Sequence, residues 1–512
     1  MFRERPHFQL DPNGRTPLSG LLTFATNVET VPRITISDGE RRWNIRDFDG
    51  QAASSHEQVV LGLRPGRNHT MEIAVRDATG TEFPWDEPIT FTASPLPDDL
   101  PELTFAGSDP DRMEPGATVF CVRKSARFGP RDYGYLVAVD SSGEVVWLYD
   151  ARENLGDFRQ LANGNVIYLA FDNRALEIDL LGNVVAQWYA ARRWPEAHAG
   201  TSAIPVDTDT FHHEIYEMPN GNLLTLSTEV REFPDYPTSE TDPDAPVETT
   251  KVVGDVVVEF SRDGSIAHAW SIFDVCDAYR ICYLSLCDYW VKKGLPDTRD
   301  WSHGNAVVYD ENDDSFVVSL RHQDAVIKID RSTGALVWIL GTPDGWRAPW
   351  SERLLTPRND FQWPYHQHNC EIAANGNVFL FDNGNFRARP FEPKLPAPEN
   401  YSRVVEFAVD GDKRTVSQAW SFGGPGPGAL YSTFISSAAR LPETGNVLVN
   451  FGGLTADEDG RPTDDVATGY GWVRIVEVTH DPDPEVLFEL FIDERAKRKG
   501  WDVYRVRRFS LF

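Results

Sequence analysis

Long apolar runs and basic residues are both scarce in this sequence of 512 residues. No segment reaches the roughly 18 continuous apolar residues expected of a membrane-spanning helix. Lys and Arg number 49 against 78 Asp and Glu, and the net charge of -29 argues against nucleic-acid binding, because phosphate contacts need a basic surface. We therefore expect neither a membrane nor a nucleic acid among the partners of this protein.

Cysteines are also scarce, and we find no pattern of a targeting or nucleotide-binding signal. The five cysteines are too few and too scattered for a disulfide framework. Cys276, Cys282 and Cys287 cluster, but their spacing matches no standard zinc pattern, so buried thiols are the favoured interpretation and no metal is expected. The sequence contains no G-x-x-x-x-G-K-[ST] loop, and no cofactor is expected. The first ten residues lack the apolar stretch of a secretory signal, which predicts a cytoplasmic location.

One hairpin pattern recurs along most of the chain: an alternating strand, a turn with Gly, and an apolar strand that ends in Trp. Its copies are YLVAVDSSGEVVW (135–147), ALEIDLLGNVVAQW (175–188), VVVEFSRDGSIAHAW (256–270), VIKIDRSTGALVW (326–338), VVEFAVDGDKRTVSQAW (404–420) and, more loosely, VRIVEVTHDPDPEVLF (473–488). A Gly-containing turn between two β-rich runs indicates a β-hairpin.

A second hairpin, usually built around an NGN turn, precedes several of these copies. It reads RQLANGNVIYL (159–169), YEMPNGNLLTL (216–226), EIAANGNVFLF (371–381) and ARLPETGNVLVN (439–450). Two hairpins make a four-stranded blade, and six copies predict a six-bladed β-propeller; an array of β-sandwiches is the alternative, which the long period disfavours. The segment 501–512 is expected to supply a strand that helps to close the ring.

The first hundred residues alternate like strands but lack the propeller motif. The phrase LGLRPGRNHTMEIAV is similar to a fibronectin type III-like sandwich. We predict an all-β chain with an N-terminal β-sandwich over 1–100, which offers a surface for a homodimer, and a propeller over 101–512. Three insertions, 229–254, 274–300 and 342–365, interrupt the blades and are expected to shape a binding mouth on one rim.

The turns also place three histidines in register. His213 and His368 each lie seven residues before the first Asn of an NGN turn, and His303 begins a similar strand that leads to an acidic turn. Gly156 and Ser437 hold the corresponding positions in two other blades. Equal register in a propeller means equal radius and height, so the three histidines are expected to converge on the channel axis. A hydrogen-bonded structural histidine explains any one of them, but not three in one layer.

Three further residues are candidates near this layer. Arg321, 18 residues after His303, would offer bidentate donors to a tetrahedral oxyanion, and a salt bridge with Asp324 is the alternative. Asn305 lies two residues after His303, on the same strand face, and would donate an amide hydrogen. His366 shares the strand face of His368 and is a candidate for substrate binding.

These motifs resemble the arylsulfate sulfotransferase family, whose members work without a nucleotide sulfuryl donor. The resemblance runs over about 100–512 and rests on FHHEIYEMPNGN, DWSHGNAV, SLRHQD and QHNCEIAANGN. It implies an enzyme that moves a sulfuryl group from an aryl sulfate ester to a phenolic acceptor through a sulfohistidine intermediate, with ping-pong kinetics. Family members are often exported and several carry a disulfide before the reactive histidine; we expect neither feature in this protein.

The resemblance also assigns roles to the candidate residues. His368 corresponds to the histidine that is transiently sulfurylated, and His213, His303, Asn305 and Arg321 correspond to the residues that hold and polarise the sulfuryl group. The chemistry is consistent, because a neutral imidazole is a competent nucleophile near pH 7. The arginine and the amide would stabilise charge on the non-bridging oxygens, and His303 or His213 would exchange the phenol proton.

Three other functions are compatible with the same residues. The three histidines would form a metal site with Glu214 or Glu371 beside it, although the charge of Arg321 in the same layer argues against a cation. A non-enzymatic propeller with a decayed site is a second alternative. A lyase or hydrolase that acts on a different ester with the same channel residues is a third.

Overall fold

The computed structural model describes residues 1–129, 132–171, 173–193, 201–358 and 360–511. The protein is all-β, and the predicted six-bladed β-propeller is confirmed. Phe512, at the end of the predicted closing segment, and Asn359, within the third predicted insertion, lie outside the described residues. No helix in the described part of the chain is long and apolar enough to cross a membrane.

The N-terminal unit is one continuous and strongly curled β-sheet of seven strands. They are β1 (Phe2–Leu10), β2 (Gly20–Ser37), β3 (Arg42–Asp47), β4 (Ala53–Val60), β5 (Asn68–Asp77), β6 (Glu82–Pro84) and β7 (Ile89–Thr92). The first half of β2 pairs with β1 and β4, and its second half pairs with β3 and β5. This long strand therefore carries the sheet around a core that includes the buried side chains of Leu22, Phe24, Ile34 and Ile36.

The propeller strands follow in chain order. They are β8 (Thr104–Ser108), β9 (Ala117–Lys124), β10 (Tyr135–Val139), β11 (Val145–Asp150), β12 (Leu155–Gln160), β13 (Val166–Ala170), β14 (Arg174–Ile178), β15 (Val184–Ala190), β16 (Ile204–Val206), β17 (His212–Glu217), β18 (Leu223–Tyr236), β19 (Glu248–Phe260), β20 (Ile266–Ser271), β21 (Thr298–Asp300), β22 (Gly304–Asp310), β23 (Ser315–Leu320), β24 (Ala325–Asp330), β25 (Leu336–Gly341), β26 (Thr356–Pro357), β27 (His368–Ile372), β28 (Val378–Asp382), β29 (Arg403–Asp410), β30 (Thr415–Gly423), β31 (Ser437–Arg440), β32 (Val447–Ala456), β33 (Tyr470–Val478), β34 (Val486–Ile492) and β35 (Trp501–Phe509). Short 3₁₀ helices within the described residues are Ile272–Asp274, Val291–Lys293, Arg321–Gln323, Trp350–Arg353, Ala397–Glu399 and Arg495–Lys497.

Each blade is a four-stranded antiparallel sheet. In chain order the blades are β9–β11 with β35, then β12–β15, β17–β20, β22–β25, β27–β30 and β31–β34. The strand β35 pairs with β9 as the innermost strand of the first blade, so the C-terminal segment closes the ring as predicted. The innermost strands β35, β12, β17, β22, β27 and β31 contact one another around the central channel.

The NGN turns anchor each blade to the next one. In the third blade, Nδ2 of Asn220 and of Asn222 donates to the carboxylate of Glu259 at 3.1 and 2.7 Å. Arg331, in the following blade, binds the same carboxylate at 2.9 and 3.0 Å. Other turn amides bind carboxylates in the same way in three further blades, at Glu177, Glu406 and Glu477. The repeated Asn residues thus hold a carboxylate of their own blade, and in the third blade this carboxylate binds an arginine of the next one.

The repeated Trp residues and the apolar strand faces fill the space between blades. The indole N–H of Trp147, Trp188 and Trp420 donates to a backbone carbonyl of the following blade. The buried apolar clusters combine side chains of neighbouring blades, as between β22–β25 and β27–β30. Burial of this kind contributes about 25 cal/mol per Å² of apolar surface, so the six interfaces make the propeller a rigid frame for the channel.

The three predicted insertions differ in structure. The expectation of a rim loop at 229–254 is largely wrong, because residues 229–236 and 248–254 extend β18 and β19 into one long hairpin, in which Val230 lies opposite Val253. Residues 237–247 form the loop at its end. The segment 274–300 contains one 3₁₀ helix, Val291–Lys293, and β21, which pairs parallel to β19. The segment 342–365 contains one 3₁₀ helix and β26, which pairs parallel to β30.

Candidate active site at the channel mouth

A bulge near one end of the inner strands turns side chains toward the channel. The register shifts immediately after His212, Gly304 and His368 in three different blades. His213 and His303 adopt positive φ angles of 62° and 44°, a conformation that costs energy for any residue with a side chain. Such strained positions persist where surrounding contacts enforce them, and they are common at functional sites.

The bulge also corrects the register that the sequence suggests. The turn from Leu441 to Asn446 is one residue longer than an NGN turn, so Ser436, not Ser437, is the counterpart of His368. In the fourth blade the counterpart is Gly304, and His303 lies one residue before it. The three histidines are therefore close in space without being strictly equivalent in the repeat.

The three imidazoles do converge. The ring of His213 lies 5.0 Å from that of His303 and 6.0 Å from that of His368, measured between centroids. Tyr504, which sequence reasoning missed, holds the position equivalent to His213 and His368 in the first blade. Its ring lies 5.3 Å from His368, and its hydroxyl donates to the backbone carbonyl of His213 at 3.0 Å. The only sequence signal for Tyr504 is its place in the closing strand.

His368 is buried, with 2% of its surface exposed. Its Nδ1 lies 3.0 Å from the carbonyl oxygen of Ser436, and because a carbonyl can only accept, Nδ1 carries the proton. Burial, together with the nearby charges of Arg505 and Arg321, holds the pKa of His368 well below its usual range. The ring is thus neutral near pH 7, with a lone pair on Nε2.

His303 is held by a carboxylate. Its Nδ1 lies 2.5 Å from Oδ2 of Asp300, and its ring stacks on His322 at 4.4 Å. Burial and the charge of Arg321 lower the pKa of His303 to about 3, whereas burial raises the pKa of Asp300 to about 6. Near pH 7 the pair is therefore an ionised carboxylate that accepts from a neutral imidazole.

His213 has a longer connection to a carboxylate. Its Nδ1 lies 2.8 Å from Nδ1 of His212, so one ring donates to the other. Nε2 of His212 lies 3.4 Å from Oδ1 of Asp255, which is buried. Burial and the neighbouring His303 hold the pKa of His213 well below its usual range. All three imidazoles of the layer are neutral bases near pH 7.

Arg321 brings a positive charge to the layer without a carboxylate partner among the described residues. The alternative of an ion pair with Asp324 is wrong, because the guanidinium donates to the carbonyls of His366 at 2.6 Å and Thr433 at 2.9 Å and to Oδ1 of Asn385 at 3.3 Å. Burial lowers the pKa of Arg321 to about 10, so it stays charged near pH 7. A buried cation with only neutral partners is well suited to an anionic ligand.

His366 does not face the channel, which corrects its expected role in substrate binding. It is 0% exposed, its Nε2 donates to the carbonyl of Tyr283 at 2.8 Å, and its Nδ1 lies 3.0 Å from Oδ1 of Asp324. Both ring nitrogens thus face protein acceptors. Because its own carbonyl accepts from Arg321, His366 acts by positioning that guanidinium.

Asn305 lies between two blades. It is fully buried, and its amide donates to the carbonyl of Gln367 in the next blade at 2.8 Å. The corresponding residues Asp157, Asn369 and Ser437 also bond to the following blade, but there each side chain accepts a backbone N–H. The contact with the sulfuryl group that the resemblance implies for Asn305 stays a prediction; in the structure this amide joins two inner strands.

A compact charge layer occupies the channel beside the imidazoles. Its members, on the inner strands, are Asp157, Arg159, Glu214, Glu371, Arg505 and Arg507. Arg505 lies 3.0 Å from Asp157 and 2.9 Å from Glu214. Burial raises the pKa of Glu214 to about 8, whereas the pKa of Asp157 is held below its usual range because the guanidinium groups outweigh its burial.

A cavity of about 720 Å³ opens beside the imidazole layer. It ends at His213 and Tyr504, whose rings pack against His368. Phe171, Tyr289 and Trp290 supply aromatic wall, the last two from the insertion 274–300, as expected of a rim insertion. Aromatic walls of this kind bind a planar ring by stacking and edge contacts.

The cysteines and the three-histidine metal alternative can be compared with the structure. All five cysteines are free thiols. Within the described residues, the group whose ligand atoms lie close enough for a metal is Cys287, Asp300 and His322, not the three histidines of the layer. His322 already donates to the carbonyl of Asp300 at 2.8 Å, and the carboxylate already accepts from His303, so hydrogen bonding accounts for this group.

Known proteins resemble this chain over the propeller. Residues 119–505 match the arylsulfotransferase (ASST) family. The chain is 27% identical over 380 residues to arylsulfate sulfotransferase AssT of Escherichia coli and 26% identical over 383 residues to AssT of Lelliottia amnigena. Each match covers 64% of this chain but only 58% and 59% of those relatives.

Solved structures are more distant. A protein of unknown function from Bacteroides caccae shares 13% identity over 71% of this chain and 92% of that one, with a TM-score of 0.33, which is too low to carry an argument. The family match extends over far more than half of the 512 residues and includes the motifs around the three histidines. The chain therefore belongs to the arylsulfotransferase family.

Proposed function

We propose that this protein transfers a sulfuryl group from an aryl sulfate to a phenolic acceptor through a covalent intermediate on Nε2 of His368. The observation that carries the proposal is the hydrogen bond from Nδ1 of His368 to the carbonyl of Ser436. This bond leaves the lone pair on Nε2, within a layer that also contains Arg321. Family membership supports the same reaction class.

In the first half-reaction, Nε2 of His368 attacks the sulfur and the bond from sulfur to the aryl oxygen breaks. The electron pair leaves on the phenolate oxygen. The guanidinium of Arg321 stabilises charge on the non-bridging oxygens, which is where negative charge is greatest in the transition state. Preorganised donors of this type are typically worth about 10²- to 10³-fold in rate.

In the second half-reaction, the phenolic acceptor attacks the same sulfur and the bond to Nε2 breaks. His303 takes the acceptor proton on Nε2, because its other nitrogen is committed to Asp300. The low pKa of His303 then releases this proton to water. We expect donor and acceptor to use the same aromatic cavity in turn, and this sequence of events predicts ping-pong kinetics.

The test is incubation with 4-nitrophenyl sulfate, followed by intact mass and by assay of 4-nitrophenol release with phenol as acceptor. We expect a mass gain of one sulfuryl group that disappears in His368→Ala, together with a loss of transfer of at least about 10³-fold. His268→Ala, at an exposed histidine on β20, is the matched control and should behave as wild type. Full transfer without His368, or dependence of transfer on a chelatable metal, would overturn the proposal.

A further inference from the structure

Asp300 is the buried carboxylate closest to the imidazole layer. It ends β21, whose parallel pairing with β19 fixes it opposite Val253. Its backbone N–H donates to the carbonyl of Cys287 at 3.2 Å, and its own carbonyl accepts from Nδ1 of His322 at 2.8 Å. The main chain around this carboxylate is therefore held on both sides.

The two carboxylate oxygens have different partners. Oδ1 accepts from the indole N–H of Trp290 at 3.0 Å, and Oδ2 lies 2.5 Å from Nδ1 of His303. The thiol of Cys287 lies 3.9 Å from Oδ2. Since an ionised carboxylate can only accept, this arrangement requires a proton on Nδ1 of His303 and leaves Nε2 as the base.

The ring of His303 is also restrained by packing. It stacks on His322 at 4.4 Å and meets the edge of Tyr289 at 4.8 Å. The other carboxylate near the layer, Asp255, reaches His213 only through His212 and a 3.4 Å contact. A direct 2.5 Å bond orients and charges its imidazole much more strongly than this two-step connection.

We infer that Asp300 is a positioning residue for sulfuryl transfer: it holds His303 in the Nδ1-protonated tautomer and balances the charge on the ring when Nε2 takes the acceptor proton. This inference rests on the proposed function, and it concerns the second half-reaction only. The first half-reaction expels a phenolate and needs no base. Asp300 should therefore matter when the acceptor is a protonated phenol and much less when the acceptor is already ionised.

The experiment is Asp300→Asn assayed separately in the two half-reactions. The Trp290 indole requires an acceptor, so the Asn oxygen should turn to Trp290 and its NH₂ should face His303 and impose the wrong tautomer. We expect the burst of 4-nitrophenolate to stay within about threefold of wild type and transfer to phenol to fall about 100-fold, mostly in kcat. Transfer to a phenol ionised at the assay pH should fall less than about tenfold.

The matched control is Asp288→Asn, at an exposed carboxylate in the same insertion that pairs with Lys292 at 3.0 Å, and it should behave as wild type. An equal loss in both half-reactions, or no loss in either, would overturn the role of Asp300. Absence of a sulfurylated wild-type protein would instead contradict the proposed function.

A measurement on the wild-type protein keeps the inference testable if Asp300→Asn does not fold. Histidine ¹⁵N NMR, with His303 assigned from the spectrum of His303→Gln, should show Nδ1 protonated and Nε2 bare. Protonation on Nε2 instead would rule the inference out, because the lone pair would then face the carboxylate.

Discussion

The imidazole layer (His213, His303 and His368) and the charge layer (Asp157, Arg159, Glu214, Glu371, Arg505 and Arg507) are built on the same inner strands but use opposite electrostatics. Glu214 directly follows His213 in the chain, and Arg505 directly follows Tyr504. In the charge layer, opposite charges contact each other, as between Arg505 and Asp157 at 3.0 Å.

In the imidazole layer, neutral rings are oriented mainly by hydrogen bonds and by one carboxylate. The cation that belongs to it, Arg321, has neutral partners. The comparison teaches that the channel separates two tasks. Compensated charges hold the inner strands together, and the uncompensated groups beside them are those to which the proposed function assigns anion binding and reaction.

The largest effect on stability should come from breaking the charge layer. Arg505→Met leaves Asp157 and Glu214 buried with fewer cations, and loss of one partner from such a cluster costs about 3–5 kcal/mol. Chemical denaturation should show this decrease in the free energy of unfolding. Arg461→Met, which removes an exposed pair with Asp459, is the control and should change stability by less than about 0.5 kcal/mol. Equal effects of the two substitutions would contradict a structural role for the charge layer.

The second prediction concerns the pH dependence of transfer, which should follow the carboxylate beside the imidazole layer and not the charge layer. Burial raises the pKa of Asp300 to about 6, although the charges of His322 and Arg321 partly oppose this, and His303 and the Cys287 thiol also face the carboxylate. As the pH falls through 6, the carboxylate takes a proton and no longer supports the imidazole as a base. Transfer to phenol should therefore fall about tenfold per pH unit below 6.

The pH dependence of kcat/KM for the acceptor, measured between about pH 5 and 8, checks this prediction. The decrease below pH 6, which is the acidic limb of this profile, cannot come from the three imidazoles of the layer, because their pKa values lie below the usual range. Asp300→Asn should abolish the limb, while His268→Ala should keep it. A limb that persists unchanged in Asp300→Asn would assign it to another group.

The smallest effect on kcat should come from removing the hydrogen bond that Tyr504 makes to the imidazole layer. Tyr504→Phe removes the hydrogen bond to the carbonyl of His213, which is worth about 1 kcal/mol, so we expect about a fivefold loss of kcat. Tyr135→Phe removes a comparable bond to Asp99, two strands outward in the same blade, and should lower stability without lowering kcat. Steady-state kinetics and denaturation of both variants measure the two quantities. An equal loss of kcat in both would remove Tyr504 from the site.

Much of the architecture could be read from the sequence because it is periodic. Each NGN turn and terminal Trp repeats with its blade, since each makes the same contact: Asn220 holds Glu259, which binds Arg331 of the next blade, and Trp188 bonds directly to the next blade. The convergence of His213 and His368 followed from the same period, whereas His303 lies one residue before the equivalent position and joins them only in the folded structure. The segment 229–254 was misread as a loop because hairpin extension leaves the blade count unchanged while it lengthens the interval between motifs.

The sequence by itself determined the propeller, its closure by the C-terminal strand and the identity of the histidines, because these depend on local patterns that repeat. Only the tertiary structure decided which nitrogen of each ring is free, because that depends on acceptors distant in the chain, such as Ser436 for His368. The tertiary structure also shows that His366 and Asn305 are buried in hydrogen bonds to neighbouring segments. It places Asp300 and Tyr504 in contact with the imidazole layer. Bulges and packing between blades fix side-chain direction, and neither has a period that can be read along the chain.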